Sequence, residues 1–121
     1  MVITWSGFFT PYNERKVRDN VPYEAGVYLL WVKLKEGKNW RCFYVGQAKD
    51  LEARLLEHLS EDEENECLSN KVNRKVCGFE YAEVGDQDNR DGIERYLYDQ
   101  YKTECNEREP ETDPIPVNLP D

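Results

Sequence analysis

From Gly26 onward the apolar positions fall into a strand pattern. Gly26–Lys35 (GVYLLWVKLK) is rich in β-branched and aromatic residues, with Tyr28, Leu30, Val32 and Leu34 on one face. Glu36-Gly37-Lys38-Asn39 is a turn signal, and Arg41–Val45 reads as a second strand, which predicts a hairpin. Gly46-Gln47-Ala48-Lys49 leaves that strand, and Asp50 is a good N-cap for a helix over about Leu51–Ser60. Cys67–Asn73 reads as a short helix or irregular stretch, Val76–Val84 as a third strand, and Asp88 to Glu104 as a second long helix. Residues 1–25 mix aromatics with charges, include Pro11 and Pro22, and are expected to form an N-terminal arm packed on the core. Residues 106–121 form an acidic, proline-rich tail whose closing Pro-Val-Asn-Leu-Pro is expected to dock on the domain. The element order predicts a small α+β domain: a three-stranded antiparallel sheet flanked by helices, spanning 26–105 and completed by the tail.

Two stripes carry polar residues that a plain core stripe would not. In the first helix, positions 51, 54, 55, 58 and 59 follow the spacing of one buried face. Leu51, Leu55 and Leu59 fill three of them, and Arg54 and His58 the other two, one turn apart on the same side. Such a pair is either partnered or functional. The plain alternative is an Arg54 that snorkels from the edge of the stripe or pairs with a carboxylate. In the last helix Ile93, Leu97 and Tyr101 form the stripe, and Glu94 stands at its border as a candidate metal ligand or ion-pair partner, or as a solvated edge residue. Tyr28 and Tyr44 lie on neighbouring strands, where packing alone also accounts for tyrosine.

Length and charge narrow the picture. A chain of 121 residues holds one ordinary domain. No apolar run approaches the roughly 20 residues of a membrane helix, and the first residues lack the pattern of a signal peptide, so a cytoplasmic protein without membrane association is expected. Cys42, Cys67, Cys77 and Cys105 contain no C-x-x-C pair, which leaves a zinc site unsupported and makes free buried thiols the expectation. The formal net charge of −9 argues against nucleic acid until its distribution is read. The run from Glu61 to Glu66 and the stretch from Glu104 to Asp121 each contribute −5, and without them the remainder stands at +1.

Gly26-Val27-Tyr28 followed by Tyr44-Val45-Gly46 resembles the paired tripeptides that name the GIY-YIG nuclease superfamily. Arg54, eight residues after Gly46, resembles the arginine of the helix that follows the second tripeptide, and His58 a histidine found in many members. Glu94 resembles the metal-binding glutamate, and Asn118 the asparagine near the domain's end, with Asn106 as a competing match. The resemblance spans about Gly26 to Leu119. Valine replaces isoleucine in both tripeptides, the hairpin is longer than in the shortest members, and no counterpart of the appended DNA-binding domain of many relatives is expected.

The resemblance implies a metal-dependent endonuclease that hydrolyses phosphodiester bonds of nucleic acid, with DNA the expected substrate. Glu94 would hold one Mg²⁺ or Mn²⁺ ion, since a single carboxylate plus waters suits such an ion. Arg54 would bind phosphate oxygens through its fork of donors. Tyr28 or Tyr44 would orient or deprotonate the attacking water, with His58 sharing that proton. Lys49 and Asn118 would support substrate binding. Two other readings fit parts of the sequence: a catalytically silent binding or regulatory module acting with a protein partner that supplies basic surface, and an acidic nucleic-acid mimic.

Overall fold

The computed structural model describes residues 1–35 and 39–121. Most of the turn expected at Glu36–Asn39 therefore lies outside the described residues. Seven elements follow one another: α1 (Glu14–Asn20), β1 (Gly26–Lys33), β2 (Trp40–Ala48), α2 (Leu51–Glu57), α3 (Glu66–Arg74), β3 (Cys77–Glu83) and α4 (Gln87–Tyr101). The strands form an antiparallel sheet in the order β2-β1-β3. This is the predicted α+β architecture, with one helix more than expected in the arm. Helix α1 escapes a periodicity reading because only Val17 of its seven residues is buried. Asn13 starts it by accepting the Lys16 N–H through its side chain at 2.8 Å.

β1 was expected to bury one face, and it buries two. As the middle strand it sends Tyr28, Leu30 and Val32 into a cluster with Val17, Phe43, Leu51, Leu55, Leu68 and Phe79. Val27 and Leu29 point the other way, into a cluster with Val45, Ala82, Ile93 and Leu97. Helix α4 thus covers one face of the sheet, while α1, α2 and α3 cover the other. A residue alternation that looks half-polar is lost when both faces are capped by helices.

The N-terminal arm runs along the outer edge of β3. Phe9 exchanges backbone hydrogen bonds with Phe79 at 2.9 Å in both directions, and Ser6 N–H donates to the Tyr81 carbonyl at 2.8 Å. The tail closes on the arm: Ile3 N–H donates to Asn118 Oδ1 at 2.8 Å, and Asn118 Nδ2 donates back to the Ile3 carbonyl at 2.9 Å. Further back, Ile115 packs on Gly92 of α4, where any side chain would overlap it.

The cysteine expectation needs correcting. Cys67 and Cys105 form a disulfide with a Cα–Cα separation of 5.3 Å, while Cys42 and Cys77 are buried free thiols. The pairing depends on α3 bringing Cys67 against the chain that leaves α4, a proximity no spacing of 38 residues reveals. Among the described residues no helix is long and apolar enough to cross a membrane.

Candidate active site

The two tripeptides face each other across the hairpin. Tyr28 pairs with Gly46, and Leu30 with Tyr44. The Tyr28 ring lies over Gly46 so closely that any Cβ there would overlap the phenol. The second tripeptide therefore ends in glycine because the first one's tyrosine needs that space.

Tyr28 is fully buried, and its hydroxyl stands 2.7 Å from His58 Nε2. His58 closes α2, its N–H bonded to the Arg54 carbonyl at 3.2 Å. Its ring is 2% exposed, and Nδ1 stands 3.1 Å from Glu63 Oε2. Tyr44 stacks on Tyr28 with ring centroids 6.2 Å apart and meets the His58 ring edge-on at 5.3 Å. Arg54, half exposed, holds Glu57 at 3.0 Å and faces both tyrosine oxygens.

These surroundings set the charge states. Burial pushes the Tyr28 hydroxyl well above its ordinary value, with Tyr44 adding to it and Arg54 opposing. Tyr44 is also raised by burial, again against Arg54. Burial, then the Arg54 charge, push His58 down to about 4, although Glu63 opposes both. His58 is therefore a neutral imidazole at pH 7.

Tyr44 and Glu94 line one open cavity of about 780 Å³, whose far wall is Asn106 to Glu111. Glu94 projects from α4, and burial raises its carboxyl while a hydrogen bond from Gln47 opposes the shift. Gln47 Nε2 lies 3.3 Å from Glu94 Oε1 and 2.7 Å from Asp91 Oδ1. Gln47 Oε1 in turn accepts from Gln87 at 2.9 Å and Arg90 at 3.4 Å. Arg90 is buried and donates to the carbonyls of Val84 and Gly85, which fixes the start of α4. Among the described residues no three His, Cys, Asp or Glu side chains gather as a metal cage. An Mg²⁺-type ion needs only one or two carboxylates with waters, and Glu94, partly desolvated on an open cavity, fits that demand.

The remaining candidates separate. Lys49 is exposed in the turn between β2 and α2. Asn118 does not join the group, because both atoms of its amide are used on Ile3. The competing Asn106 does: it lines the cavity, accepts the Val45 N–H at 3.0 Å and donates to the Val45 carbonyl at 2.8 Å. Two residues of the site carried no signal of their own in the sequence beyond charge and position: Glu63, one of five acids in the run from Glu61 to Glu66, and Gln47, which directly follows Gly46.

The sheet, its helices and the paired tripeptides define a GIY-YIG nuclease-like fold. Among solved structures the chain is similar to the GIY-YIG N-terminal endonuclease domain of UvrC from Thermotoga maritima. Bound to its catalytic divalent cation, magnesium, that domain is 25% identical with a TM-score of 0.54, over 75% of this chain and 96% of that one. A tyrosine-to-phenylalanine point mutant of it gives 26% identity and a TM-score of 0.55, over 77% and 97%. An asparagine-to-alanine point mutant gives 25% and 0.55 over the same shares. No protein-family profile matches the chain, and no curated protein does.

Proposed function

We infer that the protein is a metal-dependent endonuclease hydrolysing phosphodiester bonds of nucleic acid, with DNA the first substrate to test. One observation carries this reading: Tyr44 and Glu94 share a cavity, Tyr44 packs on the Tyr28–His58 pair, and Arg54 faces the tyrosine oxygens. A divalent Mg²⁺ or Mn²⁺ ion held by Glu94 would supply the positive charge that polarises the phosphate and helps the leaving oxygen depart. Gln47, itself anchored on Asp91, holds the Glu94 carboxylate in place for that role. Arg54 binds the non-bridging phosphate oxygens. Tyr44, on the cavity wall, orients the attacking water by hydrogen bonding, and a second water in the open cavity takes up the proton released as the water oxygen bonds to phosphorus and the leaving oxygen departs. Tyr28, being buried, supports Tyr44 and Arg54 from behind rather than meeting the water. Asn106 fixes β2 next to Tyr44, and Lys49, exposed in the turn between β2 and α2, adds positive charge for the substrate.

The test is supercoiled plasmid, and separately short RNA, incubated with the purified protein and Mg²⁺ or Mn²⁺. Cleavage by the wild type and its loss in Glu94→Ala, with the fold intact, is the expected outcome. No cleavage of either substrate, together with equal metal binding by both proteins, sinks the reading.

A second reading draws on the cavity's far wall. Glu107, Glu109 and Glu111 face the same space, which repels a phosphate backbone. They favour a silent module, or an enzyme whose protein partner supplies basic surface. Cleavage by the isolated chain decides against both. A cytoplasmic location belongs to the proposal as well, and there the Cys67–Cys105 pair would meet reducing thiols.

A further inference from the structure

Glu63 belongs to an acidic run whose other carboxylates, at Glu61, Asp62, Glu64 and Glu66, are all exposed. Its own carboxylate turns inward, with the side chain 10% exposed. Oε2 meets His58 Nδ1 at 3.1 Å, and Oε1 accepts the Asn65 N–H at 3.2 Å. Asn65 caps α3 and donates to the Cys105 carbonyl at 2.8 Å, so the carboxylate is held from both sides.

We propose that Glu63 is a positioning residue that fixes His58 as its Nδ1–H tautomer and, through it, directs the Tyr28 proton away from Arg54. The argument is one of donors and acceptors. An ionised carboxylate only accepts, so Nδ1 carries the hydrogen. A neutral imidazole then has a bare Nε2, which accepts the Tyr28 hydroxyl proton at 2.7 Å. The Tyr28 oxygen presents only lone pairs to its remaining neighbour, and that neighbour, the Arg54 guanidinium, is a pure donor. The opposite tautomer fails at both ends. It would set the Nδ1 lone pair against the Glu63 carboxylate and turn the Tyr28 proton toward a cation. The chain Glu63–His58–Tyr28–Arg54 thus aligns the group that binds phosphate, from a residue that touches no substrate. The charged and titratable groups that surround His58 are Arg54 and Glu57 from α2, Glu63 from the loop, Tyr28 from β1 and Tyr44 from β2.

The tautomer assignment stands by itself, and its catalytic consequence rests on the nuclease reading. His58 is the chain's only histidine, so its imidazole nitrogens are unambiguous in ¹H–¹⁵N correlation spectra of the full chain. The wild type at pH 7 is expected to show a neutral ring protonated on Nδ1, and Glu63→Ala a shift toward Nε2–H. An Nε2–H ring in the folded wild type overturns the proposal, as does an unchanged tautomer in folded Glu63→Ala. The wild-type spectrum decides even if that variant does not fold. In the plasmid assay Glu63→Ala should lower kcat roughly 100-fold with KM little changed, and Glu63→Gln, which keeps an acceptor, should recover part of it. Equal kcat in all three proteins overturns the positioning role. A wild type that cleaves nothing but shows the Nδ1–H ring refutes the nuclease reading and confirms the tautomer.

Discussion

Replacing Tyr28 with phenylalanine keeps the ring and removes a single oxygen. The ring's packing on Gly46 and its stacking on Tyr44 survive, so the loss is confined to one hydrogen bond of 2.7 Å. That bond is fully buried, and His58 Nε2 has no water to turn to. A net hydrogen bond is worth about 1 kcal/mol, and stranding a buried acceptor adds about 1–3 kcal/mol. A total near 2–3 kcal/mol follows, since part of the stranding cost is already counted in the bond. With about 2.1 cal/mol/K of unfolding entropy per residue, each kcal/mol lowers the Tm of such a chain by about 4 °C, so Tyr28→Phe should melt roughly 8–12 °C lower. Tyr44→Phe is the internal control. Tyr44 is only partly buried and lines the open cavity, where water can reach it, so losing its hydroxyl should cost under about 0.5 kcal/mol. Urea unfolding followed by circular dichroism, at one pH and with equal m-values, measures both. Equal stabilities for Tyr28→Phe and Tyr44→Phe would refute the buried Tyr28–His58 bond.

The other expectations concern the disulfide and a carboxyl in the second core. Opening the Cys67–Cys105 bond releases a loop of 38 residues, so Cys67→Ser with Cys105→Ser should lose about 3–4 kcal/mol in a denaturant titration by the chain-entropy relation; a loss below about 1 kcal/mol contradicts it. Glu80 on β3 is 4% exposed, and burial pushes its carboxyl up to about 7 from 4.5. A carboxyl raised on folding contributes its stability below the unfolded value and loses it as pH climbs through the folded one. Glu80→Gln should therefore be the more stable protein at pH 8 by about 1–3 kcal/mol, with the gap closing by about pH 4, below the unfolded value. A gap of the same size at pH 4 assigns the effect to something other than ionisation.

The elements whose local pattern matched their surroundings were readable. Asp50 announced α2 and does accept the Ala53 N–H. Leu51 and Leu55 marked the buried side, and His58 proved to lie on it because Tyr28 and Glu63 occupy its two nitrogens. Glu94 at the border of the α4 stripe marked the cavity wall. Other features depend on partners distant in sequence. Glu63 is the same residue as Glu61, Glu64 and Glu66 around it, and only the path of the loop turns it inward. Asn118 and Asn106 are both plausible by position, and only the tail's route past Val45 and back to Ile3 separates them. The same holds for Cys67 and Cys105, and for α1, which one buried valine attaches to the core.

The hydrogen bonds of Asn106 have a consequence for how copies of this chain meet. Its side-chain amide accepts the Val45 N–H and donates to the Val45 carbonyl, which is what the peptide group of an adjacent strand would do. Next to it, Cys105 N–H donates to the Phe43 carbonyl at 3.0 Å. At the opposite edge the arm occupies β3 in the same way. Over these described residues both margins of a three-stranded sheet are already taken, one by a segment of backbone and one by an asparagine acting as its substitute. A second molecule cannot extend the sheet there without first displacing the arm or the tail, so these margins are protected against the edge-to-edge growth that leads small sheets into fibrils.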